Sequence, residues 1–499
     1  MNLNNRISMN IVQRTIVRSL TGRVEDLYRV MRLARRFTGP KITAFMRNFA
    51  AGHYKDSGFA RLFLRLGTQA NAQCKKALVR NLVCNWGIAG ANARKRFEEK
   101  GTYVPSFVVI SPSMRCNLRC TGCYAGLYAK DGELSETEID RVLTEMKSFG
   151  SYFAVISGGE PYIMSDVLLR LFRKHSDMYF MTYTNGTLLT KDIVAEMAEL
   201  GNVAPAISVE GYKGQTDRRR GDGTFERASA AMARLREAGV PFGISVTYTS
   251  ENAALVASEG FVRYFIQRGA LFGWYFMFMP VGRDPLLSLV PSPRQRAECG
   301  DAIAELRQRF PIFLADFWND GPSVGGCLAG GRQYLHILNS GRVEPCVFAH
   351  FGVDTIKEKT VLEAANSPFF QSIRSRFPYN ANANLKMPCM IIDNPEVLRA
   401  AVAEHLIPAG HTNSEDLISD PKTVQWVDSY SRMFRQIVDP AWEAEISQPD
   451  SRWYRNGPEY KSLFTPNNRF GEVRLAVGSK SRKDGKRASR NEEGLTGRR

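Results

Sequence analysis

The chain has 499 residues, 44% of them hydrophobic and 23% charged, which suits several domains with substantial cores and excludes a disordered protein. No apolar run reaches the length of about 18 residues that a transmembrane helix needs, and the N-terminus lacks the apolar segment of a signal peptide. We therefore expect a cytoplasmic protein in a reducing compartment, where its nine cysteines serve metal binding or core packing rather than disulfides.

The formal net charge of +17 is concentrated at the two ends of the chain. Residues 1–50 carry ten basic and two acidic side chains, and residues 478–499 carry eight basic and three acidic ones. Such ends suit docking to an anionic partner such as lipid headgroups, so peripheral association with the inner membrane face is one hypothesis. A solvated basic face and a solubilising tail are the alternative.

Residues 1–100 are predicted to be helical, because apolar residues such as Ile16, Val17 and Leu20 recur at spacings of three to four. From about residue 105, short β-branched or aromatic runs alternate with amphipathic segments, which predicts an α/β fold with a parallel sheet. The predicted strands are 106–111, 153–157, 179–184, 204–209, 242–248 and 273–279. The predicted helices are 135–149, 165–176, 190–200, 224–238 and 253–268.

The regular alternation ends near residue 285. A helix is predicted at 295–309, a β-hairpin at 334–345 around a tight Asn-Ser-Gly turn, and another helix at 360–375. The sequence therefore divides into a basic helical region (1–100), a core (101–285), a smaller α+β region (286–410), a mixed extension (411–477) and a disordered basic tail (478–499).

Three cysteines, Cys116, Cys120 and Cys123, lie within eight residues directly after the first predicted strand. Thiolates so close in sequence are expected to converge on a common point, and a soft metal or an iron–sulfur cluster is the usual occupant. The C-x3-C-x2-C spacing supplies only three ligands, so one iron of a cluster would be free to bind substrate. A zinc site is the alternative, although zinc needs a fourth ligand that this stretch does not supply.

The second predicted strand ends in the sequence Ser157-Gly158-Gly159-Glu160-Pro161. Two glycines let backbone groups approach a ligand closely, and the carboxylate of Glu160 can accept hydrogen bonds from an ammonium group. A simple strand-to-helix turn is the alternative. The cysteines one strand earlier favour the ligand-binding interpretation.

The cysteine triad followed by Gly158-Gly159-Glu160-Pro161 resembles the radical S-adenosylmethionine (SAM) superfamily. The resemblance covers about residues 105–285 and implies a partial (β/α)6 TIM-like barrel. It also implies a [4Fe–4S] cluster that accepts an electron from a donor such as flavodoxin or ferredoxin. The reduced cluster would cleave SAM, and the resulting 5′-deoxyadenosyl radical would abstract hydrogen from a substrate.

The resemblance also implies which residues contact SAM, although it assigns no catalytic residue. These are glycine, polar or charged residues that follow successive predicted strands: Gly158, Gly159, Glu160, Asn185, Ser208, Glu210 and Arg220. Among them, Glu160 would contact the methionine portion and Arg220 would pair with the cofactor carboxylate. One departure concerns Gly122, where the family usually has an aromatic residue that meets the adenine; here Tyr124 follows the third cysteine instead.

A second set of cysteines, Cys327, Cys346 and Cys389, follows the predicted core. The stretch from Cys327 to Cys346 is similar to the auxiliary-cluster module known as SPASM, or to its shortened twitch form. The resemblance implies one auxiliary cluster with three thiolates. The fourth ligand is left open among Cys299, His350, Asp393 and a substrate atom, and three buried structural cysteines are the alternative.

Three functions compete. A radical SAM enzyme with a lipid-like substrate is suggested by the basic N-terminus and by the aromatic strand Trp274–Met279, which could line an apolar cavity. A radical SAM maturase that modifies a peptide or protein is the second hypothesis. The third is a non-catalytic iron–sulfur or nucleic-acid-binding protein, which the Gly-Gly-Glu-Pro turn disfavours because a structural cluster needs no cofactor cradle.

Overall fold

The computed structural model describes residues 57–464 and, before them, residues 11, 13–23, 25 and 26. The predicted disordered tail at 478–499 and most of the basic stretch at 1–50 lie outside the described residues. None of the described helices is long and apolar enough to cross a membrane.

A helical segment precedes the sheet. It consists of α1 (Gly58–Gln69), α2 (Ala72–Ala77), a π-helix (Leu78–Gly90) and α3 (Ala91–Glu98). Ser57 and Asn71 begin the first two helices as N-caps, since the side chain of each accepts a hydrogen bond from a backbone N–H in the first turn. Cys74 and Cys84 are buried in this segment, so their thiols belong to its packing.

Within the described residues, nine strands form one sheet. They are β1 (Phe107–Ile110), β2 (Phe153–Ile156), β3 (Tyr179–Thr184), β4 (Val203–Val209), β5 (Gly243–Tyr248), β6 (Phe272–Met277), β7 (Phe313–Asp316), β8 (Tyr334–Ile337) and β9 (Val343–Glu344). Their order is β7-β6-β5-β4-β3-β2-β1-β8-β9, and all neighbours are parallel except the antiparallel pair β8 and β9. The six predicted core strands and the predicted hairpin are confirmed, and the sheet is an incomplete α/β barrel.

Helices connect the parallel strands. They are α4 (Glu136–Ser148), α5 (Ser165–Lys174), α6 (Lys191–Leu200), α7 (Lys213–Arg220), α8 (Thr224–Glu237), α9 (Ala253–Val256) and α10 (Glu259–Arg268). A capping box begins α4, because Ser135 accepts from the Glu138 N–H and Glu138 accepts from the Ser135 N–H. The helix predicted at 253–268 is instead two helices, since Ser258 caps a new one. The arginine-rich α7 was not predicted.

β8 lies beside β1 in the sheet. The two strands pair in parallel from Phe107 opposite Tyr334 to Ile110 opposite Ile337. β7, a strand that the sequence did not predict, pairs with β6 at the opposite edge. The region after residue 285 therefore extends both edges of the core sheet, and it places the hairpin next to the first core strand.

The remaining helices pack around this sheet. They are α11 (Pro293–Arg309), α12 (Gly321–Val324), α13 (Val361–Ala365), α14 (Pro368–Ser375), α15 (Pro395–His405), α16 (Asp416–Ser419), α17 (Pro421–Ser447) and α18 (Pro458–Ser462). The helix predicted at 360–375 is two helices, α13 and α14. The stretch at 411–477, from which the sequence predicted no definite element, contains the 27-residue α17, which continues through Pro440.

All core strands run in the same direction, so their carboxyl ends meet at one edge of the sheet. The cysteine loop follows β1, the Gly-Gly-Glu-Pro turn follows β2, and Asn185 and Glu210 follow β3 and β4. The topology therefore brings the residues singled out in the core sequence to the same edge.

Candidate functional site

The first three cysteines, Cys116, Cys120 and Cys123, lie in the loop after β1. They line a cavity of about 390 Å³ whose wall also includes the basic residues Lys130 and Arg283. Cys116 is exposed and the other two are partly buried, and none of the three is in a disulfide. Among the described residues, no three potential ligands are grouped closely enough to bind a single metal ion. The three cysteines therefore line one cavity and are not arranged as ligands of a single metal ion.

Backbone hydrogen bonds hold the cysteine loop in place. The Leu118 N–H donates to the Sγ of Cys116 at 3.4 Å. The Thr121 N–H donates to the carbonyl of Arg219 at 3.0 Å, and the Arg283 N–H donates to the carbonyl of Cys123 at 3.0 Å. The loop is thereby attached to α7 and to the segment after β6, so its shape depends on parts of the chain far away in sequence.

Gly158 and Gly159 pack directly against the cysteine loop. The Gly159 N–H donates to the Ser113 carbonyl at 3.0 Å, and the Glu160 N–H donates to the Arg115 carbonyl at 2.8 Å. A Cβ on Gly159 would lie 2.0 Å from the Arg115 oxygen, and Gly158 has a φ of 115° that disfavours side chains. From the sequence, both glycines are expected to make room for a ligand. The structure shows that they also make room for the loop that carries the cysteines.

Gly159→Ala is therefore expected to displace the cysteine loop and to lower the iron content after anaerobic reconstitution severalfold. Gly214→Ala in α7 is the matched control, because a Cβ there would meet no atom within 4 Å. Iron and sulfide assays on both purified variants check the prediction. Equal iron contents in the two variants would show that the close contact at Arg115 is not needed to form the site.

Glu160 is almost completely buried and connects the ends of two strands. Its carboxylate accepts from the Tyr162 N–H at 3.2 Å, from the Thr184 hydroxyl at 2.7 Å and from the Asn185 N–H at 2.8 Å. Burial raises the pKa of this carboxyl to about 7 despite these hydrogen bonds. The Asn185 amide in turn donates to the Oδ1 of Asn117 in the cysteine loop at 2.9 Å. Glu160 and Asn185 therefore lie together beside the cysteines.

Glu210, at the end of β4, forms a buried ion pair with two arginines of α7. Its Oε1 accepts from Arg219 Nη1 at 2.6 Å and from Arg220 Nε at 2.8 Å. Its Oε2 is buried and has no hydrogen-bond partner among the described residues. Ser208 is buried two residues earlier on β4. Arg220 is therefore already paired with Glu210, and the atoms of this group without a hydrogen-bond partner among the described residues are Glu210 Oε2 and Arg219 Nε.

The space beside Gly122 is filled by an aromatic side chain from elsewhere in the chain. A Cβ on Gly122 would lie 2.2 Å from the ring of Phe278, which follows β6 and is buried. Tyr124 does not fill this space, because its hydroxyl lies 2.9 Å from Ser157 Oγ after β2. The structure thus gives a steric reason for glycine at position 122. The sequence did not indicate this contact with Phe278, because no local pattern connects the two positions.

The two faces of β6 differ in exposure. Trp274 and Phe276 are partly exposed, whereas Tyr275 and Met277 are fully buried, and the Tyr275 hydroxyl donates to a carbonyl at the end of α9. The Phe276 ring lies 5.4 Å from that of Tyr183 on β3, which is also partly exposed. The face of the sheet opposite the helices therefore presents accessible aromatic surface.

The second set of cysteines, Cys327, Cys346 and Cys389, is buried. Burial, together with the neighbouring thiols of the set, raises the pKa of each to about 12. The Sγ atoms of Cys346 and Cys389 each accept a hydrogen bond from the backbone N–H two residues later, as the Sγ of Cys116 does. The Tyr334 hydroxyl also donates to Cys346 at 3.3 Å. The structure thus brings together three cysteines that are up to 62 residues apart in sequence.

Two of the three side chains that the sequence offered as a fourth ligand, His350 and Asp393, have other partners. The His350 nitrogens lie 3.0 Å from the Val347 carbonyl and 2.8 Å from His411. Asp393 forms a fully buried ion pair with Arg296 and also accepts from the Cys389 N–H at 3.0 Å. Cys299 is buried in α11, where burial and the charge of Asp316 raise its pKa.

Comparisons with known proteins agree with this arrangement. Residues 110–254 match the profile of the radical SAM superfamily. An AdoMet-dependent heme synthase from Methanosarcina barkeri is 30% identical over 303 residues, which are 55% of this chain and 86% of the relative. A PqqA peptide cyclase from Bradyrhizobium diazoefficiens is 25% identical over 316 residues, which are 59% of this chain and 80% of the relative.

A solved structure of Streptococcus suis SuiB bound to S-adenosylmethionine aligns with a TM-score of 0.49 and 20% identity, covering 60% of this chain and 76% of SuiB. The profile match extends from the end of β1 past β5 and includes the cysteine loop and the turn after β2. The chain therefore belongs to the radical SAM superfamily of enzymes, whose cofactors are a [4Fe–4S] cluster and S-adenosylmethionine.

Proposed function

We propose that Cys116, Cys120 and Cys123 hold the [4Fe–4S] cluster and leave one iron open for SAM. Cysteine thiolates are the usual ligands of such clusters, and three of them line one cavity here. Lys130 and Arg283 in the cavity wall supply positive charge that suits an anionic cluster. When bound and reduced, the cluster supplies the electron that cleaves SAM and generates the 5′-deoxyadenosyl radical.

The neighbouring carboxylates suit a cationic, hydroxyl-bearing cofactor. Burial raises the pKa of Glu160 to about 7, so an ammonium group beside this carboxylate would stabilise its charged form. The unsatisfied Oε2 of Glu210 can accept a hydrogen bond from a ribose hydroxyl or from the amino group of the cofactor. We propose that these two residues, with Gly158, Gly159, Asn185 and Ser208, orient SAM. Arg220 would then hold the carboxylate of Glu210 in position. Direct contact with the cofactor carboxylate is the alternative role for Arg220.

We also propose an auxiliary cluster at Cys327, Cys346 and Cys389. Hydrogen bonds from backbone N–H groups to sulfur are a known means of tuning iron–sulfur clusters, and the sulfurs of Cys346 and Cys389 each accept one. Since His350 and Asp393 have other partners and Cys299 is buried in α11, an atom of the substrate is the fourth ligand that this proposal favours. Three structural cysteines are the alternative, and the iron content of the protein distinguishes the two.

We propose that the substrate presents a conjugated ring system, as a tetrapyrrole does. The observation that carries this proposal is the partly exposed aromatic surface formed by Tyr183, Trp274 and Phe276. The heme synthase relative supports it. A peptide substrate is the second candidate, favoured by the PqqA peptide cyclase relative. The lipid-like substrate and membrane association suggested by the basic N-terminus find no support in the described residues or in these relatives.

The test is 5′-deoxyadenosine formation by anaerobically reconstituted protein with SAM and a chemical reductant. An iron porphyrin is expected to increase the yield severalfold and to change its own absorbance spectrum on binding. Phe276→Ala should weaken this binding about tenfold, equivalent to about 1.4 kcal/mol. Tyr275→Phe, on the opposite face of the same strand, should leave the binding affinity unchanged. Stimulation by peptides alone would favour the second candidate, and no 5′-deoxyadenosine under any condition would contradict the assignment of the site.

A further inference from the structure

Arg332 is a buried cation at the second cysteine site. It is 1% exposed and follows Cys327 by five residues. Its Nη1 donates to the Cys327 carbonyl at 2.7 Å, and its Nη2 donates to the Gly325 carbonyl at 3.0 Å. Its guanidinium carbon lies 3.6 Å from the centre of the Phe377 ring. The charged end of Arg332 is thus held against the turn that carries the first cysteine of this set.

The positive charge of Arg332 lacks a carboxylate partner within residues 57–464. Its two hydrogen bonds go to neutral carbonyls, and its Nε has no partner although it is buried. Asp393, the buried carboxylate next to Cys389, is already paired with Arg296. Burying an uncompensated charge is costly, so buried arginines are normally found with a counter-charge.

A second unsatisfied donor lies in the same neighbourhood. The Tyr379 hydroxyl is buried and has no hydrogen-bond partner in the described part of the chain. A Cβ on Gly330, three residues after Cys327, would lie 2.9 Å from this hydroxyl. The site thus combines three thiols with a cation that has no carboxylate partner and a hydroxyl that has no acceptor among the described residues, which is the complement of an anionic group.

We propose that Arg332 is the counter-ion of the auxiliary cluster and that its charge raises the reduction potential of that cluster. This rests on the proposed function, in which Cys327, Cys346 and Cys389 hold the cluster. A thiolate-ligated cluster is anionic and gains one more negative charge when a one-electron donor such as flavodoxin reduces it. A positive charge close by stabilises the reduced state more than the oxidised state. Arg332 is thus a positioning and tuning residue, and the Tyr379 hydroxyl acts in the same direction by donating to the cluster.

The experiment uses the full chain with Cys120→Ala, so that only the auxiliary cluster remains. Its potential is measured by redox titration monitored by electron paramagnetic resonance, together with iron and sulfide contents. Arg332→Gln is expected to lower the ratio of reduced to oxidised cluster about tenfold at a fixed ambient potential, a shift of about 59 mV for one electron. Arg332→Lys keeps the charge and should retain most of the potential.

Arg94→Gln is the matched control, because Arg94 is also buried, also donates to backbone carbonyls and also contacts an aromatic ring, but at Gly150 and Trp86. Arg94→Gln should leave the reduction potential of the auxiliary cluster unchanged. If Arg332→Gln loses the cluster while Arg332→Lys retains it, the charge is needed for assembly and the proposal is supported. Unchanged potential and iron content in Arg332→Gln, or equal loss in both Arg332 variants, would overturn it. A parent protein without auxiliary iron would instead contradict the proposed second cluster.

Discussion

Replacing Cys120 with alanine is expected to lower 5′-deoxyadenosine formation by more than about 10³-fold, which corresponds to about 4 kcal/mol of barrier. With two remaining thiols in the loop, the proposed cluster would lose one of its three protein ligands. The loss should therefore appear in the iron content as well as in the rate. Product formation with SAM and a chemical reductant, normalised to folded protein, is the measurement.

Cys84→Ala is the matched control for this substitution. Cys84 is 1% exposed and packs against Leu20 and Val79 in the helical segment before the sheet. Its removal should lower thermal stability slightly and leave both iron content and product formation near the unmodified values. Product formation that survives Cys120→Ala, or unmodified protein that binds zinc in place of iron, would refute the assignment of the first cysteine set.

Replacing Arg296 with methionine is expected to lower the free energy of unfolding by about 3–5 kcal/mol, because Asp393 would be left as an unpaired buried charge. Both side chains of this ion pair are 0% exposed. Arg296 also stacks on Phe434 of α17 at 3.8 Å, so the pair connects α11, the Cys389 loop and the long helix. Urea unfolding of the cluster-free chain, followed by tryptophan fluorescence, measures the change.

Two further variants separate charge from packing. The double variant Arg296→Met with Asp393→Asn should recover part of the lost stability, since it removes the unpaired charge. Arg294→Met, two residues earlier on the same helix, breaks only an exposed pair with Glu298 and should cost less than about 1 kcal/mol. If Arg294→Met lowered the free energy of unfolding as much as Arg296→Met does, the burial of the ion pair would not explain the loss of stability.

The core sheet was predictable because its signals are local. Short apolar strands and helices begun by residues such as Ser135 and Thr190 repeat along the chain, and each signal lies within a few residues. α17 was predictable in principle, since Val427, Tyr430, Phe434 and other buried residues recur at spacings of three to four. The proline inside this helix and the polar residues between the apolar positions obscured the helical pattern in the sequence.

The site was predictable in its residue types but only partly in its contacts. The pair Gly158-Gly159 indicates that something approaches the backbone closely, but sequence alone does not say that the cysteine loop does so. The pairing of Arg296 with Asp393 spans 97 residues, and the filling of the space at Gly122 by Phe278 spans 156. Contacts over such separations follow from the topology of the sheet, which local patterns do not specify.

The pairing of β8 with β1 means that the core sheet loses a neighbouring strand if the chain is cut after the core. If the chain were cut after residue 285, β1 would become an edge strand, with backbone groups from Phe107 to Ile110 left without their partners. Exposed strand edges of this kind promote association with other chains. The two cysteine-bearing regions thus share one sheet, because β1, which leads into the first cysteine loop, is covered by β8, which lies between Cys327 and Cys346.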